Sequence, residues 1–187
     1  MRACVAVISG LLLCACAVRD SFVDAGARTA AAGNWRIERQ PDPITRAPLS
    51  SALLKGTSSH SNELFPLPAA LQLSCFKDRP IVAFEFSFKV GTTPNSFLGY
   101  RFDERPGRDI NARFLHTAQR VVIEDPAELA QFVRELASAS VLYIRIRSLN
   151  AGRTTAEFRV AGAAEAIRAA FADCPLPPEP SRRGKTS

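Results

Sequence analysis

The chain is poor in the residues that carry most enzymatic chemistry. In 187 residues it has two histidines, one tryptophan, one methionine and five cysteines. Neither His60 nor His116 stands at ligand spacing from a cysteine, so the sequence offers no zinc site. There is no G-x-S-x-G elbow, no H-E-x-x-H pair, no G-x-x-x-x-G-K-S/T loop and no G-x-G-x-x-G after a strand, and none of the chemistries those patterns serve is indicated. His116, with Thr117 beside it and Asp109 upstream, is the nearest approach to a triad, and no spacing supports it. No cofactor and no catalytic residue is implied. Long apolar runs are also missing. The longest, from Ala3 to Leu13, falls short of the roughly 18 residues that a membrane span needs.

That run follows Arg2 and precedes small residues, which is the form of a secretory leader. Two cleavage readings stand side by side. Leu13-Cys14-Ala15-Cys16 has the form of a bacterial lipobox, making residues 1–15 the signal peptide and Cys16 a lipidated N-terminus; Ala15-Cys16-Ala17 also fits an ordinary small-x-small site. The lipoprotein reading is carried forward, because an ordinary cut would leave Cys16 with no role. Ala17 in place of aspartate resembles the Gram-negative lipoproteins sorted to the outer membrane, facing the periplasm. The alternative is a soluble periplasmic protein.

With Cys4, Cys14 and Cys16 assigned to the leader, Cys75 and Cys174 remain. Two cysteines in an exported domain are expected to form one disulfide. The excess of base is small once the ends are set aside. There are 24 Lys and Arg against 18 Asp and Glu; removing Arg2, Arg182, Arg183 and Lys185 with Glu179 leaves 20 against 17. A nucleic-acid partner is therefore not indicated.

Residues 16–34 are small, polar and aperiodic, and read as a flexible tether. Residues 177–187 follow a run of prolines and read as a disordered basic tail. Between them, 35–176 is one domain. Trp35 opens an alternating strand as a core anchor, and Pro41 to Thr45 is a turn. Residues 50–55 predict a second strand, and 56–62, with His60, an exposed loop. Residues 70–76 predict a strand with Cys75 facing inward. In 81–90, Phe84, Phe86, Phe88 and Val90 alternate with Glu85, Ser87 and Lys89, which predicts one buried face; 96–103 is expected to pair with it as a hairpin. A further strand is expected at 114–124. Asp125-Pro126-Ala127-Glu128 starts a helix, with Leu129, Phe132, Val133 and Leu136 inward. Residues 138–160 predict two alternating strands joined at Asn150-Ala151-Gly152, followed by a helix whose apolar stripe, Ala163, Ile167, Ala170 and Phe171, ends on Cys174. The expectation is an α+β domain: an antiparallel sheet, or two packed sheets, with two helices and one disulfide.

In order, the tryptophan-led strand, the Asp42-Pro43-Ile44 turn, the Leu71-x-Leu73-x-Cys75 strand, Tyr100-Arg101-Phe102-Asp103, and Ala156-x-Phe158 through Gly162, Ala166-Ile167 and Cys174 resemble the small periplasmic accessory proteins of type VI secretion, the VasI/TagO-like family. The resemblance spans Trp35 to Cys174. Asp42-Pro43-Ile44-Thr45 replaces that family's Ser-Pro-Ile-Asp-Asp type turn, and its tryptophan near Phe114 is missing. What the resemblance implies is the module and its disulfide.

The leading expectation is a non-enzymatic envelope lipoprotein, held to the membrane by its lipid, that binds or supports assembly of another envelope component. Arg101, Asp103, Arg105, Arg108 and Asp109 are the expected contact surface. A cell-wall or glycan hydrolase would instead need two carboxylates about 5 to 10 Å apart in a cleft. An enzyme inhibitor would need a protruding loop, at 91–95 or 104–112.

Overall fold

The computed structural model describes residues 28–115, 118–174 and 176. The expected leader (1–15), Cys16, residues 16–27 of the expected tether, His116 and the tail 177–187 lie outside the described residues.

The described chain runs β1 (Arg28–Ala32), β2 (Trp35–Pro41), β3 (Pro48–His60), β4 (Leu67–Phe76), β5 (Arg79–Phe86), β6 (Ser96–Phe102), β7 (Arg108–Ile110), β8 (Arg113–Leu115), β9 (Arg120–Ile123), α1 (Pro126–Leu136), β10 (Val141–Ser148), β11 (Gly152–Arg159) and α2 (Ala163–Ala170). All pairings are antiparallel and belong to one sheet, ordered β7-β6-β10-β11-β3-β4-β5-β9-β8, with β1 and β2 branching from β3. The alternative of two packed sheets is thereby corrected: a single sheet curls into a half-barrel.

The curl depends on β3. Along one edge its first half pairs with β2 (Trp35 opposite Leu54) and its second half with β11 (Glu157 opposite Thr57), while its other edge carries β4. Gly56 sits at the changeover. A Cβ there would lie 2.4 Å from the Phe158 ring and 2.6 Å from the Glu157 carbonyl oxygen, so only glycine lets β11 come in where β2 leaves off.

Two expectations are corrected here. Residues 56–60 are strand, not loop: Thr57 and Ser59 face outward, while Ser58 faces inward and donates to the Leu67 carbonyl. Pairing with β11 throughout 57–60, and with β4 as far as Ser58, outweighs the polar composition. Residues 28–32, assigned to the tether, are β1, paired in full register with β2.

The hairpin expected between 81–90 and 96–103 is not formed either. Lys77 and Asp78 both take positive φ (49° and 61°), the two-residue turn that returns β4 directly into β5. The other edge of β5 is taken by β9, so β6 crosses over to pair with β10 and β7. The strand expected at 114–124 is two short strands, β8 and β9, folded on each other.

The expectations for 125–174 hold. Asp125 Oδ1 accepts hydrogen bonds from the backbone N–H groups of Ala127 and Glu128, both at 2.9 Å, and Leu129, Phe132, Val133 and Leu136 are all buried. The β10–β11 hairpin closes at Gly152, and α2 turns Ala163, Ile167, Ala170 and Phe171 inward. The helices cover the apolar side of the half-barrel: α2 packs on β2, β3 and β4, and Phe132 of α1 meets Phe84, Tyr100 and Phe102 edge-on or tilted, with centroids 5.1 to 5.9 Å away. Trp35 is 1% exposed and donates its indole N–H to the Val160 carbonyl. Cys75, at the end of β4, is bonded to Cys174 beyond α2, with Cα atoms 6.1 Å apart.

Candidate functional site

With one face of the sheet covered by helices, the other is open, and its outward side chains follow from the register. One rung runs Arg101, Tyr143, Glu157, Thr57 across β6, β10, β11 and β3. The next runs Asp109, Gly99, Arg145, Thr155, Ser59 and adds β7. Together they line a groove of about 580 Å³.

Its floor is built of small residues and its walls of long ones. Gly99 leaves room on the floor: a Cβ there would stand 2.5 Å from Asp109 Oδ1 and 3.2 Å from Arg145 Nη2, so glycine lets that ion pair lie flat across the strand. Arg145 Nη2 is 2.9 Å from Asp109 Oδ1, and Arg147 Nη2 is 3.8 Å from Oδ2. The Arg101 guanidinium stacks 4.5 Å from the Tyr143 ring centroid and reaches Glu104 at 3.2 Å. Exposed pairs of this kind contribute about 0 to 1 kcal/mol each, so their members can exchange partners with a ligand at little cost. The Glu157 side chain makes no hydrogen bond or ion pair with another described residue.

The five residues expected to form a contact surface part company. Arg101 and Asp109 are in the groove. Asp103, at positive φ, accepts from the backbone N–H groups of Ser140 and Val141 with one carboxylate oxygen and so ties the end of β6 to the start of β10. Arg105 donates to Ser138 Oγ. Arg108 borders the groove, yet its guanidinium turns toward Glu128 and Glu135 on α1, at 3.5 and 3.9 Å. Sequence reasoning missed Tyr143, Arg145, Glu157 and Gly99. The alternation marked the first three as outward-facing; that β10 would be flanked by β6 and β11 could not be read from local pattern.

Arg108 and the two glutamates surround Tyr100, which is 3% exposed and whose hydroxyl has no hydrogen-bond partner among the described residues. Burial, followed by the negative charge of Glu135, pushes its pKa up to about 12 from 10.0. The neutral phenol is thus favoured by folding. The corresponding stability is fully present below pH 10 and is lost as pH rises from 10 toward 12, where the unfolded chain ionises and the folded one does not. Tyr100→Phe is expected to flatten that alkaline decline, measured by urea unfolding at pH 9 to 11.5, at little or no cost at neutral pH, because the hydroxyl removed was unsatisfied.

His60 is not a loop residue. It ends β3, with Nδ1 2.8 Å from Thr154 Oγ1 and its ring 4.8 Å from that of Phe88. Of the two segments considered as protruding loops, 104–112 contributes β7 to the sheet, and 91–95 is tied down by Thr92 N–H to Ser96 Oγ and Leu149 N–H to the Asn95 carbonyl. Among the described residues, no three His, Cys, Asp or Glu side chains are grouped so as to hold a metal.

No family model and no curated protein matches this chain, so the type VI resemblance gains no support there. A solved structure does match: invasion associated protein B from Bartonella henselae, with a TM-score of 0.50 and 12% identity over 78% of this chain and 96% of that one. The likeness is one of fold. At that identity it assigns no activity and no site residue.

Proposed function

We propose that this protein is a non-enzymatic, exported envelope lipoprotein, acylated at Cys16 on the outer membrane facing the periplasm, that binds another envelope protein through the groove on its open sheet face. Service beside an envelope secretion complex is the narrower form of this reading. The observation that carries it is the groove: a wide, shallow floor of Gly99, Thr155, Thr57 and Ser59 flanked by exchangeable charges and a stacked Arg101–Tyr143 pair. Such a surface suits an extended polar segment of a partner, with arginine and tyrosine as anchors. The disulfide suits an oxidising compartment.

A glycan hydrolase is the rival. It is disfavoured because Asp109 is ion-paired with Arg145 and Arg147, which leaves Glu157 as the groove's one unpaired carboxylate among the described residues, where such a reaction needs two.

The test is site-specific photocrosslinking in the native cell. A crosslinker at position 143 is expected to give a discrete adduct that Arg145→Glu abolishes. The same group at Leu149, exposed and outside the groove, is expected to give none. Equal labelling from both positions, or an adduct indifferent to Arg145→Glu, would contradict the reading.

A further inference from the structure

The far side of the molecule carries a second surface that the groove does not explain. Two adjoining depressions share Arg28 and Arg39; one adds Arg46 with Ala172 and Asp173, the other Arg168 with Glu165. All four arginines are exposed, and none makes an ion pair or side-chain hydrogen bond with another described residue. Against four positive charges stand Glu165 and Asp173 in the depressions and Asp42 in the adjoining turn; Asp173 already accepts from Ser50 Oγ and Asp42 from backbone N–H groups of its own turn. The arginines come from β1, β2, the β2–β3 turn and α2, so the fold has gathered them from four places on the chain.

The turn between β2 and β3 gives this surface an apolar tip. Asp42 Oδ1 accepts from the backbone N–H groups of Ile44 and Thr45, Arg46 N–H donates to the Asp42 carbonyl, and Thr45 Oγ1 accepts from Ala47 N–H. These bonds fix the turn from within and leave Ile44 90% exposed beside Arg46. A rigidly presented aliphatic side chain among such arginines is the chemistry of a lipid headgroup boundary: the charges meet phosphate, and the side chain reaches the acyl layer.

Chain connectivity points the same way. Arg28, the first described residue, and Asp173, next to the last cysteine, line one depression, so the two ends of the described domain come together on this side. Cys16 is twelve residues before Arg28, and twelve residues span at most about 43 Å. The basic residues Arg182, Arg183 and Lys185 follow from the other end.

We infer that the face formed by Arg28, Arg39, Arg46 and Arg168 with Ile44 rests on an anionic phospholipid surface, which turns the groove away from the membrane and toward its partner. This orientation rests on the proposed anchor, although the lipid contact does not require it. The experiment reads the contact separately. Ile44→Trp is introduced into the full chain, where Trp35 is buried and supplies a constant background, and the protein purified from its membranes is reconstituted into phosphatidylglycerol or phosphatidylcholine vesicles.

In phosphatidylglycerol the emission of the introduced indole is expected to shift to shorter wavelength and to be quenched by brominated acyl chains. In phosphatidylcholine, or in high salt, it is expected to behave as in water. Each of Arg39→Ser, Arg46→Ser and Arg168→Ser is expected to weaken the contact about fivefold. If mass analysis shows no acyl group, the soluble chain is added to the same vesicles, and the same shift upholds the lipid face while the anchor reading falls. An acylated protein whose emission is the same in both lipids overturns the lipid face and leaves the anchor standing.

Discussion

Replacing Cys174 with serine, or reducing the protein, is expected to lower its stability by roughly 4 to 5 kcal/mol, the chain-entropy value for a closed loop of this length. The bridge spans 99 residues and joins the end of β4 to the segment after α2. Everything from β5 to α2 lies inside that loop, so without the bridge the unfolded chain gains the freedom of most of the domain. Folded contacts change less, since α2 keeps its buried alanines and Ile167 against β2 to β4. The loss corresponds to a fall of about 8 to 20 °C in the melting midpoint. It should appear in circular-dichroism melts with and without reductant, together with a larger urea m-value, because the uncrosslinked unfolded state exposes more surface. A shift of only a degree or two would mean that the bridge adds little beyond the packing around it.

The second large effect is expected at Phe132. Its ring has no solvent exposure and stands 5.1 Å from those of Tyr100 and Phe102 and 5.9 Å from that of Phe84, with the contacts to Tyr100 and Phe84 edge-on. This cluster attaches α1 to β5 and β6, which are not neighbours in the sheet. Phe132→Ala is expected to cost about 3 to 5 kcal/mol, the transfer of a ring plus the cavity left among three others. Leu149→Ala, at an 83% exposed position, is expected to change stability by no more than about 0.5 kcal/mol. Urea unfolding of the two variants compares them directly. Similar small losses would show that α1 is not held by this cluster.

The difference between those positions was legible in the sequence, because Phe132 falls on the 3.6-residue stripe of a helix with a strong start signal at Asp125 and Pro126. The β10–β11 hairpin and α2 were legible for the same reason: period, turn and cap all agree within a short window. What could not be read locally is which strands become neighbours. The phenylalanine alternation of 81–90 announced a buried face, and Phe84 and Phe86 are buried; nothing in it said that β6 would cross over to β10. Thr57 to His60 look like loop because serine and threonine dominate, and they become strand only when β11 supplies partners along one edge and β4 meets Thr57 and Ser58 on the other. The groove inherits this non-locality. Arg101 and Asp109 drew attention by charge, whereas Tyr143, Arg145 and Glu157 acquire a site only from the order of the strands.

Intact mass of the protein purified from its own membranes, with and without reductant, tests most directly the proposal of an exported, anchored and disulfide-stapled binding domain. The expected result is a chain beginning at Cys16 that carries a diacyl or triacyl adduct and gains two hydrogens on reduction. An unmodified chain beginning at Val18 would contradict the anchor and leave a soluble periplasmic protein. A mass unchanged by reductant would contradict the disulfide that closes the loop from β4 to the segment after α2.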